Sequence, residues 1–351
     1  MKVVKNTLTQ VKDLFSKSIS EDLAPVGSLG VDIGSSAVKV VRLESTKDHV
    51  KLLGFGVEKI VDKNTREALS RALAKAKATP RQSAVVSVGG QGVVSRYIEL
   101  PVMNKTELDS SMKFEIEKYV PFPLIEVACD YAVVHEMKDK AKMSVLIAAA
   151  KNELIQKKVS VAQEAGLLLK AIDLDCLALA NFFSEMVIAG KKEACHGIVD
   201  MGRVFSSIDI FADGVPALSR DIFVGGDDIT KKLAETMDLD YAQAEKLKVD
   251  PRGKERECLA VWESVLHNLA GEIRISLDYF EARANRTVDK IYIVGGAGRL
   301  LELHDYFGRL LGVDVGAIGA IERLKFEDTS LKEEFEKNKD LLAIALGLAL
   351  R

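Results

Sequence analysis

Cysteine is scarce in this sequence. The four present, Cys129, Cys176, Cys195 and Cys258, stand far apart, and the five histidines are equally scattered. That spacing excludes a disulfide framework and a zinc ribbon, and it suits a reducing compartment. Charge of one sign is lacking too: the formal net charge is −3, and no basic tract carries interleaved aromatics. Nucleic acid is therefore not an expected partner. Long hydrophobic runs are also missing. The longest, Leu341–Leu350, is about half of what a bilayer requires. Residues 1–20 hold no apolar core of a secretory signal. A cytoplasmic protein is expected, with any membrane association running through a partner or a surface helix.

What is present is core-forming. With 351 residues, 48% of them apolar and 29% charged, the chain is long enough for two domains. Residues 2–19 set Val4, Leu8, Val11, Phe15 and Ile19 at three- and four-residue steps, with Lys2, Lys5, Lys12 and Lys17 on the polar side. Such a basic amphipathic helix either lies on an anionic surface, docks to a partner, or packs on the body as a leader.

The stretch Leu29–Arg42 organises the first half. It reads as an apolar strand, a small-residue turn and a Val-rich second strand, with Asp32, Gly34, Ser35, Ser36 and Lys39 at or just after the turn. Consecutive backbone N–H groups in such a turn form an anion-binding concavity, to which Lys39 adds positive charge. A plain glycine hairpin is the alternative reading. The pattern recurs at His196–Ile210, where Asp200 and Gly202 repeat Asp32 and Gly34, and Ser206 and Ser207 echo the two earlier serines. Two carboxylates and two such turns suit a polyphosphate with magnesium, which prefers carboxylate, water and phosphate oxygens. A third glycine site, Gly295-Gly296-Ala297-Gly298, follows the strand Ile291–Val294 and gives a flat ligand or phosphate access to the backbone.

Between these lie other predicted elements. Asn104 or Thr106 caps a helix through Tyr119, which Pro121 and Pro123 end on either side of Phe122. A hairpin over Asp130–Ala150 and a helix over Asn152–Ala165 follow, a block that reads as an inserted subdomain. One long helix is expected over Glu255–Asn285 and another, apolar in its second half, over Leu331–Leu350.

The three glycine sites resemble, in order, the phosphate-1, phosphate-2 and adenosine motifs of the actin, heat-shock-chaperone and sugar-kinase ATPase superfamily. A more specific likeness lies in Tyr119-Val120-Pro121-Phe122-Pro123 followed by Asp130-Tyr131, in Gly225-Gly226-Asp227-Asp228, and in Ser276-Leu277-Asp278-Tyr279-Phe280. From about residue 27 onward these segments resemble the PilM family of pilus assembly proteins, relatives of the division protein FtsA.

That resemblance implies an α/β, two-lobed actin-like ATPase (ribonuclease-H-like) fold with an FtsA/PilM-type inserted subdomain. The boundaries expected are a leader at 1–26, a first lobe at 27–95, 166–195 and 335–351, and the insertion at 96–165. The second lobe takes 196–224 and 287–334, with a helical subdomain at 225–286. The resemblance further implies an ATP-binding cytoplasmic scaffold that grips the cytoplasmic N-terminal tail of the inner-membrane protein PilN in a nucleotide-dependent way, within a homo-oligomeric ring alongside PilO and PilP. Lys39 and the Ser35/Ser36 amides would contact the β- and γ-phosphates, and Asp32 and Asp200 would hold magnesium through water. Gly202 and Ser206 would line the second phosphate turn, Gly295, Gly296 and Gly298 would pass the adenosine, and Glu245 would accept a ribose hydroxyl. Arg203 stands where hydrolases of the superfamily often carry a second acid, and the connection near Asp173 offers no evident water-positioning residue, so binding is better supported than turnover. The alternatives are an FtsA-like polymerising, membrane-associated protein and an active kinase or ATPase of the same fold.

Overall fold

The computed structural model describes residues 28–45, 49–137, 141–188 and 194–351. The helix expected at 2–19 and the leader at 1–26 lie outside these residues. The chain divides into two compact units, residues 1–189 with 321–351, and residues 190–320.

The first unit begins with an antiparallel meander, β1 (Leu29–Ile33), β2 (Ala37–Ser45) and β3 (Val50–Lys59). Helix α1 (Thr65–Lys75), capped by the Asn64 side chain on Glu67 N, then crosses to β4 (Ser83–Val88), which lies parallel to β1. Next come β5 (Val93–Pro101), α2 (Lys105–Tyr119), β6 (Val127–Met137), β7 (Lys142–Lys151), α3 (Asn152–Glu164), β8 (Leu168–Leu174) and α4 (Asp175–Phe182). β8 joins the main sheet parallel to β4. Every residue of β1 is buried, as a central strand covered on both faces demands. One face packs Leu29, Val31 and Ile33 on the buried side of α1 and on Ile155, Val159 and Ala162 of α3. Burial of such aliphatic side chains contributes roughly 1.5–3 kcal/mol each.

β5, β7 and β6 form a separate three-stranded sheet, in that order. α2 covers it with Leu108 and Met112. Of the two caps the sequence offered, Asn104 is used, in a reciprocal capping box with Glu107. Helix α3, expected within the inserted block, packs instead on the main sheet through its buried stripe.

The second unit repeats the plan of the first. β9 (Cys195–Met201), β10 (Ser206–Ala212) and β11 (Val215–Ile222) are an antiparallel meander. α5 (Gly226–Met237), α6 (Tyr241–Val249) and the long α7 (Glu255–Ala284) follow, then β12 (Lys290–Val294), α8 (Leu303–Leu311) and β13 (Asp314–Ala317). β12 is parallel to β9, and β13 to β12. The order β11-β10-β9-β12-β13 therefore matches β3-β2-β1-β4-β8 strand for strand. Trp262 of α7 is fully buried in this unit's core.

The chain then returns to the first unit through β14 (Leu324–Phe326), α9 (Thr329–Glu336) and α10 (Ala343–Ala349). Residues 321–334 were expected in the second lobe. β14 instead extends the first sheet beside β3, with Leu324 paired to Val50. The single helix expected over Leu331–Leu350 is likewise two. Phe335 of α9 packs edge-on against Phe55 and beside Phe326, with ring centroids 6.1 and 5.3 Å away. α10, buried at every residue, has a different seat. Its backbone lies so close to β1 that a Cβ on Gly30 would stand 1.9 Å from the Ala345 carbonyl oxygen. The Ser28 hydroxyl donates to Ala349 O at 2.6 Å. The bend between α9 and α10 serves these two destinations.

Candidate functional site

The two Asp-x-Gly turns have one geometry. Gly34 N donates to Ala37 O at 3.0 Å, and Gly202 N donates to Phe205 O at 3.1 Å. Each glycine sits two residues beyond a carboxylate on a central strand, Asp32 on β1 and Asp200 on β9. Asp32 faces Lys39 across the β1–β2 register, and the two form a 2.8 Å ion pair. A Cβ on Gly34 would stand 3.0 Å from the Lys39 ammonium, so Lys39 lies over the turn. Ser35 and Ser36 are exposed at its tip, with the Ser36 carbonyl accepting from Ile60 N.

Register corrects the second turn. Ser207, and not Ser206, is the cross-strand partner of Asp200, and so occupies the place of Lys39. Ser206 points the other way, is fully buried, and donates its hydroxyl to Val224 O at 2.8 Å. A one-residue offset in a strand moves a side chain to the opposite face, so the Ser206 hydroxyl is turned away from Asp200.

The second unit brings several of its candidate residues together. Gly295 has φ +87°, and a Cβ there would meet Asp200 Oδ1 at 2.2 Å and Met201 O at 2.6 Å. The position requires glycine for both reasons. The turn continues through Gly296 into a short 3₁₀ turn, Ala297–Arg299, where Gly298 packs on Ile293. The start of α5 is knitted to the Asp-x-Gly turn, since Gly226 N donates to Gly202 O and Asp227 N to Arg203 O. Gly226 also lies against Ala297 and the Lys248 ammonium. Glu245 of α6 accepts from the Thr230 hydroxyl at 2.6 Å and from Lys248 at 2.7 Å. Burial alone would raise the Glu245 carboxyl, but Lys248 and Thr230 outweigh it and hold it below the ordinary range. Lys248 was missed in the sequence, although its spacing three residues after Glu245 on a helix was visible.

Arg203 closes this turn from outside. It pairs with Asp227 at 2.8 Å and donates to the Tyr241 hydroxyl at 3.2 Å, while Tyr241 donates to Asp227. Burial raises the Asp227 carboxyl, yet Tyr241 and Arg203 hold it below the usual range.

The connection after β8 holds another residue that sequence reasoning overlooked. Asp175, the first residue of α4, sets its carboxylate where a Cβ on Gly89 would stand, 2.1 Å from Oδ2. Burial pushes this carboxyl up, and the charge of Asp32 adds to the effect, while Lys158 and Lys39 oppose it. Lys158 of α3 donates to the Ile33 carbonyl, between Asp32 and Gly34. Burial lowers the Lys158 ammonium against the pull of Asp175 and Asp32.

These features fit a nucleotide. In the first unit a turn with two exposed serines lies under an ammonium. In the second, a glycine-lined turn lies beside the start of α5, where Thr230 of α5 is hydrogen-bonded to Glu245 and Lys248 of α6. Among the described residues no cluster of three or more His, Cys, Asp or Glu is placed to cage a metal. Among the described residues no helix is long and apolar enough to cross a membrane.

Comparison with known proteins bears on both fold and family. A solved structure described as a PilM-PilN type IV pilus biogenesis complex aligns over 93% of this chain and 99% of that one, at 25% identity and a TM-score of 0.81. The ethanolamine utilization protein EutJ from Carboxydothermus hydrogenoformans aligns over 99% and 98%, at 17% identity and a TM-score of 0.55, a likeness of fold. With the strand order shared by both units, the architecture is that of the actin-like ATPases. Residues 30–351 match the family described as type IV pilus assembly protein PilM, and the chain belongs to that family.

Proposed function

We propose that this chain is an ATP-binding scaffold of the type IV pilus assembly machine, working on the cytoplasmic face of the inner membrane and held there by its partners. Its partner is the cytoplasmic N-terminal tail of PilN, and PilO, PilP and a homo-oligomeric ring complete the assembly. Family membership and the likeness to a PilM-PilN complex support the partner. The observation that carries nucleotide binding is the repeated Asp-x-Gly turn, joined in the second unit by the glycine cradle at Gly295.

In this reading the Gly34–Ser36 amides and Lys39 take the β- and γ-phosphates. Asp32 and Asp200 orient water on magnesium, whose chemistry is to neutralise the phosphate oxygens. Gly202, Gly295, Gly296 and Gly298 pass the adenosine, and Glu245 with Lys248 meets the ribose. The tail docks on the sheet and helix of 96–151, where the proline-flanked stretch exposes Tyr119, Leu124 and Ile125, the last 86% exposed. An apolar patch of this kind marks a docking surface.

Calorimetric titration of MgATP tests the nucleotide site. Lys39→Ala and Asp200→Ala should each weaken binding by about tenfold or more, as loss of a charged contact does. Parental affinity in both variants would overturn the site assignment.

A further inference from the structure

Helix α3 touches two places that function would need to connect. At its start, the Asn152 side-chain amide donates to the Ile125 carbonyl at 3.2 Å, and the Lys151 ammonium stands 4.8 Å above the Phe122 ring. Both partners belong to the proline-flanked stretch. Lys151 N also donates to Gly92 O, in the turn whose Gly89 supports Asp175. Six residues on, about 9 Å along the axis, Lys158 donates to the Ile33 carbonyl within electrostatic reach of Asp32 and Asp175. Among the described residues, Ile33 O is the one acceptor within hydrogen-bond reach of this ammonium, which has three donors to offer. Ile155 between these two positions, and Val159 and Ala162 beyond Lys158, fix the helix on the main sheet.

We propose that Lys158 is a positioning residue for the Asp32–Gly34 turn and that α3 couples this turn to the Phe122–Ile125 stretch. The inference rests on the nucleotide and tail-binding reading above. A polyphosphate at the turn adds negative charge beside the Lys158 ammonium and fixes it. Fixing the middle of α3 also fixes its first turn, and with it the Ile125 carbonyl and the Phe122 ring. The tail then meets an ordered surface and binds more tightly, because less ordering remains to be done. A lysine serving only the packing of α3 would leave nucleotide and tail independent.

The test measures the affinity of a synthetic PilN-tail peptide for the full chain, without nucleotide and with a saturating nonhydrolysable MgATP analogue. In the parent, the analogue tightens peptide binding by about fivefold or more, in the usual range of coupling. In Lys158→Met the ratio falls to within about twofold of unity, while nucleotide-free peptide affinity stays within about twofold of the parent. Asn152→Ala cuts the rod at its other end and also loses the ratio, with affinity for the analogue unchanged. Either variant keeping the parental ratio overturns the inference. A parent that binds both ligands with a ratio of one overturns it too, but leaves both binding assignments standing. A parent that binds no analogue overturns the nucleotide reading itself.

Discussion

Asp209 of β10 and Asp32 of β1 are both nearly enclosed, at 3% and 6% exposure, yet they are treated differently. Asp32 has Lys39 at 2.8 Å. Burial pushes the Asp209 carboxyl well up, and the charges of Asp221 and Asp200 add to it, while the Ser219 and Ser207 hydroxyls only partly oppose. The native state therefore keeps a proton that the unfolded chain releases near pH 4. Stability from this group is full below that pH and is lost as pH rises through the raised native pKa. Asp209→Asn should raise Tm at pH 8 by about 1–2 °C, the shift that ~1 kcal/mol produces in a chain of 351 residues. The gain should narrow as pH falls in thermal melts, and a gain that grows on acidification would contradict the assignment. At this scale the sequence was legible where spacing is local. Asp32, Asp200 and Gly295 stand in recurring local patterns, whereas Glu245 was picked out only through the family resemblance. Asp175 and Lys158 do not, because their burial comes from Gly89 and from the end of β1, which are distant in sequence. The direction of the Ser206 side chain was not legible, because side-chain phase in a strand depends on the length of the turn before it.

The elements that the sequence predicted best are those fixed by their own caps and breakers. α2 starts at the Asn104 capping box and ends before Pro121, and α7 runs from Glu255 to Ala284 as its stripe of buried residues requires. Elements settled by tertiary partners were harder to read. β14 has three residues, and only its pairing with β3 makes it a strand. The split between α9 and α10 follows from where Phe335 and Gly30 lie, which helical periodicity alone does not reveal. The proline-flanked stretch gives an element-level prediction. Ile125 is exposed, so Ile125→Asp should leave Tm within about 1–2 °C of the parent, as surface changes do. Anisotropy with a labelled PilN-tail peptide should show binding weakened by about tenfold or more, consistent with losing an apolar anchor. Unchanged affinity would move the tail to another surface.

Over the whole molecule, one motif is used twice. Each unit threads a central strand, an Asp-x-Gly turn and two further antiparallel strands, then adds two parallel strands on the other side. The repetition was legible because strand, turn and strand are contiguous in sequence, and it placed both turns before any tertiary contact was known. How the turns are supported was not legible, since Gly295 reaches Asp200, and Asp175 reaches Gly89, across long stretches of chain. The central claim is that nucleotide and PilN tail act on each other through this fold. Linkage requires the effect to be reciprocal. The most direct measurement is calorimetric titration of a nonhydrolysable MgATP analogue into the free chain and into the chain saturated with PilN-tail peptide. The account predicts tighter nucleotide binding to the peptide-loaded chain, by about the same fivefold or greater factor by which nucleotide tightens the peptide. Equal nucleotide affinity in the two titrations would contradict it.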